Sequence, residues 1–91
     1  MTDEVTDDAE ESRYELRTGA GLALAAYALR PGLITFTHTE VPDALKGQGI
    51  GSRLVAGALA DVRRRGLKVR PLCPFVRAYM DRHPETHDLL A

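Results

Sequence analysis

The chain has 91 residues, of which 44% are hydrophobic and 27% charged, the proportions of one small globular domain. It is too short for a two-lobed dinucleotide enzyme, a barrel enzyme or a kinase, and its single cysteine excludes an intrachain disulfide framework or a multi-cysteine zinc site. The net charge of −1 conceals an acidic start and a basic remainder. Residues 1–11 carry Asp3, Glu4, Asp7, Asp8, Glu10 and Glu11, no base, and after Met1 only Val5 as a longer aliphatic side chain. Such a segment buries too little apolar area to offset its ordering entropy, which predicts a disordered acidic tail ahead of a single domain over 12–91.

Residues 12–41 read as three strands. Tyr14 and Leu16 alternate with Arg13, Glu15 and Arg17, the period-2 pattern of a half-buried strand. Residues 22–29 are alanine-rich, which favours helix, but the segment is short and lies between glycine turns, so strand is the reading. The run 33–41 is dense in β-branched residues and ends at Pro42. After a loop with three glycines, residues 52–65 place Leu54, Val55, Ala58, Leu59 and Val62 on one helical stripe, with Gly66 just past the end. Residues 67–73 read as a short strand containing Pro71, which points to an edge or to the end of pairing. Pro74 then opens a second helix with Phe75, Val76, Tyr79 and Met80 on one stripe, and Pro84 breaks it. The expected fold is α/β (α+β), a mixed sheet of about four strands in the order βββαβα, with a right-handed parallel crossover over 33–73.

The loop Lys46-Gly47-Gln48-Gly49-Ile50-Gly51-Ser52 joins a strand to an amphipathic helix. Small residues admit a ligand close to the backbone, and the first helical turn presents unpaired N–H groups to an anion. Both familiar nucleotide loops fail here, because each needs glycine where Ser52 stands. A plain connecting turn is the competing reading of this loop.

Lys46 to Gly51 is similar to the pyrophosphate-binding motif of the GNAT acetyltransferase superfamily, Arg/Gln-x-x-Gly-x-Gly/Ala. Together with His38-Thr39-Glu40-Val41, KGQGIGSRLV and LKVRPLCPFVRAYMDRHPE, it resembles the short stand-alone GNAT-like family of about one hundred residues. The resemblance implies acetyl-coenzyme A as cosubstrate. Its pyrophosphate would rest on Gly47, Gln48, Gly49, Ile50, Gly51 and Ser52, with Lys46 alongside. The pantetheine arm would run between strands ending at Val41 and Cys73, near Pro74, with His83 shaping a wall. No metal is implied: His83 and His87 lack a third ligand and Pro84 interrupts their helix.

Cys73 lies where a strand meets a helix opened by Pro74, a place that stabilises a thiolate; a small buried side chain is the alternative. The resemblance implies a functional Cys73, either as acetyl carrier or as a lining residue beside direct attack by an amine. His38 alternates with Ile34 and Phe36, so it is expected on their face, where it could deprotonate Cys73 or the acceptor, or be a hydrogen-bonded histidine at a sheet face. Glu40 is a weaker base candidate or a surface carboxylate, and Tyr79 is a proton donor or, the preferred reading, a core residue.

The implied activity is acetyl transfer to an unidentified small-molecule or peptide amine; a non-catalytic CoA-binding or acyl-carrying module is the alternative. Nucleic-acid binding through Arg63, Arg64, Arg65, Lys68 and Arg70 is disfavoured because no aromatic residues interleave with them. The longest apolar stretch, 22–29, is too short to span a bilayer, and acids rather than a basic segment precede it. A cytoplasmic monomer or weak homodimer without membrane contact is the expectation.

Overall fold

The computed structural model describes residues 5–91 and contains five strands rather than four. They are β1 (Val5–Asp8), β2 (Arg13–Thr18), β3 (Gly21–Arg30), β4 (Leu33–Glu40) and β5 (Lys68–Pro71), in spatial order β1-β2-β3-β4-β5. The first four pair antiparallel, and β4 and β5 pair parallel across the helix α1 (Ile50–Arg64). A second helix, α2 (Pro74–Arg82), and a 3-10 segment, Pro84–Leu89, complete the chain. The mixed sheet with helices packed on it is the α+β architecture expected.

The strand β1 corrects the reading of 1–11 as a disordered tail; residues 1–4 lie outside the described residues. Val5 packs directly on Gly57 of α1, where a Cβ would collide with it. The acids are also matched: Asp7 accepts hydrogen bonds from Tyr27 (2.5 Å) and Arg65 (3.1 Å). Long-range partners supply the ordering energy that local composition lacks.

Strand alternation sends Tyr14, Leu16, Ala23, Ala25, Tyr27, Ile34, Phe36 and Val69 to one face, where they join the buried side chains of α1 and α2. Both helices pack on that face. Ala23 and Ala25, fully buried in β3, explain the alanine-rich strand: small side chains let α1 lie close to the sheet. Tyr14, Tyr27 and Phe36 form a ring cluster with centroids 5.5 to 6.4 Å apart, edge and tilted geometries that suit aromatic quadrupoles.

The helix α1 begins at Ile50, two residues before the expected start, because Gly49 takes the N-cap position with φ 76°. Its other end closes as expected at Gly66. Leu67 N–H bonds Val62 O and Gly66 N–H bonds Arg63 O, both at 3.1 Å, the paired bonds of a Schellman turn. In α2 the expected stripe holds for Val76, Tyr79 and Met80, but Phe75 is exposed. Pro71 ends β5, and the open edge of that strand is covered by the last residues, with Ala91 N–H on Val69 O at 3.0 Å.

Register breaks at one place. Ala26 pairs with His38 while Tyr27 pairs with Phe36, so Thr37 is the extra residue of a β-bulge. One inserted residue reverses which side chains face the core.

Candidate active site

The bulge decides what faces what. Before it, Ile34 and Phe36 point under the helices; after it, Thr39 and Val41 do. His38 is therefore turned away from the face of Ile34 and Phe36, contrary to the alternation read from the sequence. Its Nε2 lies 2.8 Å from Glu40 Oε2, and both side chains are exposed. The neighbour of Cys73 is instead Thr39, with Oγ1 3.1 Å from Sγ.

The two parallel strands part just past the bulge. The last backbone tie is Cys73 N–H to Phe36 O at 2.9 Å. Beyond it the chain of β5 turns through Leu72 into α2, while β4 runs on to Glu40 paired with β3 alone. A cleft of about 640 Å³ opens there, lined by the end of β4 (Thr39, Glu40, Val41), the loop (Leu45, Lys46, Gly47, Gly49), the first turn of α1 (Ile50, Gly51, Ser52) and Phe75.

Gly47 and Gly49 hold φ of 81° and 76°, a left-handed backbone that residues with a Cβ adopt at a cost. A Cβ at either would meet no protein atom, and both line the cleft. The N–H groups of residues 49–52 have no intrahelical acceptor by position, and no side chain caps them. With the helix dipole behind them they form an anion cradle. The loop is held from below: Leu45 is buried, and Gln48 Nε2 donates to Ala44 O at 3.0 Å. Gln48 thus braces the loop rather than lining the cleft. Lys46 lines it at the rim, paired with Asp43 at 3.0 Å.

The remaining expected site residues are more scattered. Cys73 is buried, 3% exposed, at the N-cap of α2, behind Thr39 rather than in the cleft wall. Pro74 stands at the first position of α2, and its neighbour Phe75 is the residue that reaches the cleft, its ring packed against Gly51. His83 is at the far end of α2, stacked on Tyr79 with centroids 4.0 Å apart and 3.1 Å from Glu85, and does not line the cleft. Thr39, Leu45 and Phe75 are the lining residues that sequence patterning did not single out as ligand contacts. Among the described residues no three His, Cys, Asp or Glu side chains group as metal ligands, and no helix is long and apolar enough to cross a membrane.

A five-stranded mixed sheet with two helices on one face and a crossover helix starting beside two parting parallel strands defines the class, a small α+β domain. Residues 13–89 match the family model of the GCN5-related N-acetyl-transferases, and the chain belongs to that family. It is 36% identical over 52 residues to Protein NATD1 of Gallus gallus and of Mus musculus, a stretch covering 57% of this chain and 47% of each relative. Protein NATD1 of Homo sapiens gives 36% over 52 residues, 57% of this chain and 46% of that one. The chain thus spans about half the length of the curated relatives it matches. The solution structure of a GCN5-like protein from Staphylococcus aureus superposes with a TM-score of 0.74 at 24% identity, covering 100% of this chain and 91% of that one. That likeness shows the fold.

Proposed function

We propose that this chain is an acetyl-CoA-dependent N-acetyltransferase that moves the acetyl group directly from the thioester to a small-molecule or peptide amine. The observation that carries the reading is the uncapped end of α1, opening into the cleft where β4 and β5 separate. The residues present suit the cosubstrate. Backbone N–H groups of residues 49–52 would hold the pyrophosphate, with Lys46 adding charge at the rim. The edge of β4 beyond Phe36, paired on one side only, offers backbone amides to the pantetheine arm and to the thioester oxygen. Val41 and Phe75 supply apolar contact along the way.

Acetyl-CoA supplies an acyl group already activated as a thioester. The chain's part is to orient it and to admit the amine. The amine nitrogen bonds the acyl carbon, the carbon–sulfur bond breaks, and the thiol leaves carrying one of the amine's protons. The shielding of Cys73 behind Thr39 supports transfer without a covalent stop at the protein. A second reading, relay through Cys73, is favoured by the 3.1 Å contact between Thr39 Oγ1 and Sγ and by the sulfur's place at a helix start.

The basic cluster around the C-terminal end of α1 is engaged internally. Arg63 binds Asp88 (2.6 Å), Arg64 binds Asp61, and Arg65 binds Asp7 (3.1 Å), which supports a reading without nucleic acid. The covered edge of β5 supports a monomer. Incubation with acetyl-CoA and a panel of amines, with free CoA measured, tests the enzyme: release of many equivalents is expected. Release of at most one equivalent would assign a carrier or binding module instead. Intact-mass analysis of wild type beside Cys73→Ala separates the two routes, since only the relay leaves an adduct that the variant lacks.

A further inference from the structure

We propose that the sheet face turned away from the helices is the acceptor-docking surface, and that it takes a peptide with acidic residues about four to six positions from the amine that is acetylated. The inference rests on the transferase reading above and narrows its acceptor. Arg30 and Arg70 are the residues that select it.

Strand alternation sends Ile34, Phe36 and Val69 into the core and turns their neighbours outward. The register across β3, β4 and β5 then sets two rows on the outer face: Arg30, Leu33 and Lys68, and beside it Ala28, Thr35 and Arg70. All three cations of these rows are exposed. The cleft opens further along the same β4, at Thr39 and Glu40. With one residue of β4 taken up by the bulge, Glu40 lies about 13 Å from the Arg70 row and about 20 Å from the Arg30 row, spans that an extended peptide covers with about four to six residues. The helices pack on the inner face, so an acceptor reaches a thioester lying between the parted strands from the outer one.

The charges of this face are unbalanced. The charged residues of β3, β4 and β5 are Arg30, His38, Glu40, Lys68 and Arg70, and the one carboxylate, Glu40, already has His38 at 2.8 Å. Lys68 donates to the backbone oxygen of Asp88 at 2.7 Å, which satisfies a donor without cancelling its charge. The side chains of Arg30 and Arg70 have no hydrogen-bond or ion-pair partner among the described residues. Elsewhere the arginines are matched: Arg13 and Arg17 close on Glu15 at 2.8 and 3.5 Å, and the three at the end of α1 on Asp88, Asp61 and Asp7. A guanidinium takes a carboxylate in two parallel bonds. The surface around the two unmatched arginines is small or apolar, with Ala28, Leu33 and, where the strands part, Leu72 at 56% exposed. Separated carboxylates on an extended peptide fit sparse cations with apolar surface between them. A nucleic acid, with a phosphate at every step, fits a continuous basic track instead, and it lacks the nucleophilic amine that a peptide brings.

The test offers the full chain, with acetyl-CoA, three heptapeptides that have a free amino terminus and carry glutamate, glutamine or arginine at the last three positions. Benzylamine serves as an amine without a peptide. Wild type is expected to favour the glutamate peptide over the glutamine peptide by about tenfold in kcat/KM, the difference lying in KM and vanishing at high salt. Arg30→Glu combined with Arg70→Glu is expected to reverse the order, making the arginine peptide the better substrate, with benzylamine turnover and the CoA titration unchanged within about twofold. Arg70→Gln, a milder change, is expected to cost the glutamate peptide about threefold. Equal turnover of the three peptides by wild type, or variants that lose benzylamine in step with the glutamate peptide, would overturn the proposal and leave the transferase reading standing. A single-stranded oligonucleotide that binds wild type and not the charge-reversed variant, with no peptide preference, would overturn it in favour of nucleic acid. Failure of wild type to acetylate benzylamine or any peptide would overturn both readings.

Discussion

The two ends of α1 are built on opposite plans. At the C-terminal end a network of bonds ties the helix to the rest of the fold. A Schellman turn closes the carbonyls, Asp61 accepts from Tyr14 OH at 2.7 Å and from Arg64, and Arg65 bridges Tyr14 and Asp7 at 3.1 Å. Burial first, and then the bond to Asp61, push the Tyr14 hydroxyl well above its ordinary range; burial and Asp7 push Tyr27 up to about 12. At the N-terminal end no side chain caps the helix, two glycines replace side chains with open space, and a cleft lies in front. One end uses its polar groups inside the fold, and the other leaves its N–H groups facing a cleft. Stability and binding should therefore respond to different substitutions.

The sharpest way to break that separation is Gly49→Val. Forcing a β-branched residue into the left-handed N-cap costs about 2 kcal/mol, which relaxation of the cradle would relieve, so the CoA Kd is expected to rise about 30-fold or more. Calorimetry reads this directly, and an unchanged Kd would mean that the cradle is not the binding element. Next in size, Tyr14→Phe removes the hydroxyl shared by Asp61 and Arg65, and is expected to cost about 1.5 kcal/mol in urea unfolding with the CoA Kd unchanged. Coupled loss of affinity would show that the ends of α1 are not independent.

A smaller, pH-dependent effect follows from the same end. Although burial alone would raise it, the Tyr14 hydroxyl, Arg64 and Arg65 hold the Asp61 carboxyl below its ordinary 3.8, and Arg63 does the same for Asp88. A carboxyl whose folded pKa is depressed stabilises the fold above the unfolded value and loses that contribution as pH falls through the folded one. The urea midpoint should therefore hold above pH 4 or so and drop as pH goes below 3.8. Asp61→Asn should flatten that drop, and an equally steep fall in the variant would assign the acid sensitivity elsewhere. Smallest is Gly57→Ala, which presses a methyl group into Val5. A cost of about 1 kcal/mol is expected, read as faster amide exchange in β1, with protection in β4 unchanged.

Much of this architecture was written in local signals. Period-2 alternation marked β2, density of β-branched residues marked β4, the stripe from Leu54 to Val62 marked α1, and Pro74 and Gly66 marked helix boundaries. The glycine loop was legible because its chemistry is backbone chemistry, dictated by residue size and position. Two features were not. The bulge at Thr37 leaves no trace in Thr35-Phe36-Thr37-His38-Thr39, where alternation continues unbroken, so His38 was assigned to the wrong face and Thr39 was missed beside Cys73. The strand β1 was missed because its pairing with β2 carries no apolar alternation of its own and two of the contacts that hold it, with Gly57 and Arg65, lie more than fifty residues along the chain; composition records the acids of 1–11 but not the cation that meets Asp7.

The proposed activity requires the open end of α1 to bind a diphosphate. Calorimetric titration of the full chain with CoA and, in parallel, with pantetheine, which has the arm but no pyrophosphate, tests it most directly. One saturating site for CoA, with pantetheine at least tenfold weaker, is the result the structure predicts. Equal affinity for the two, or no heat with CoA from folded protein, would contradict it.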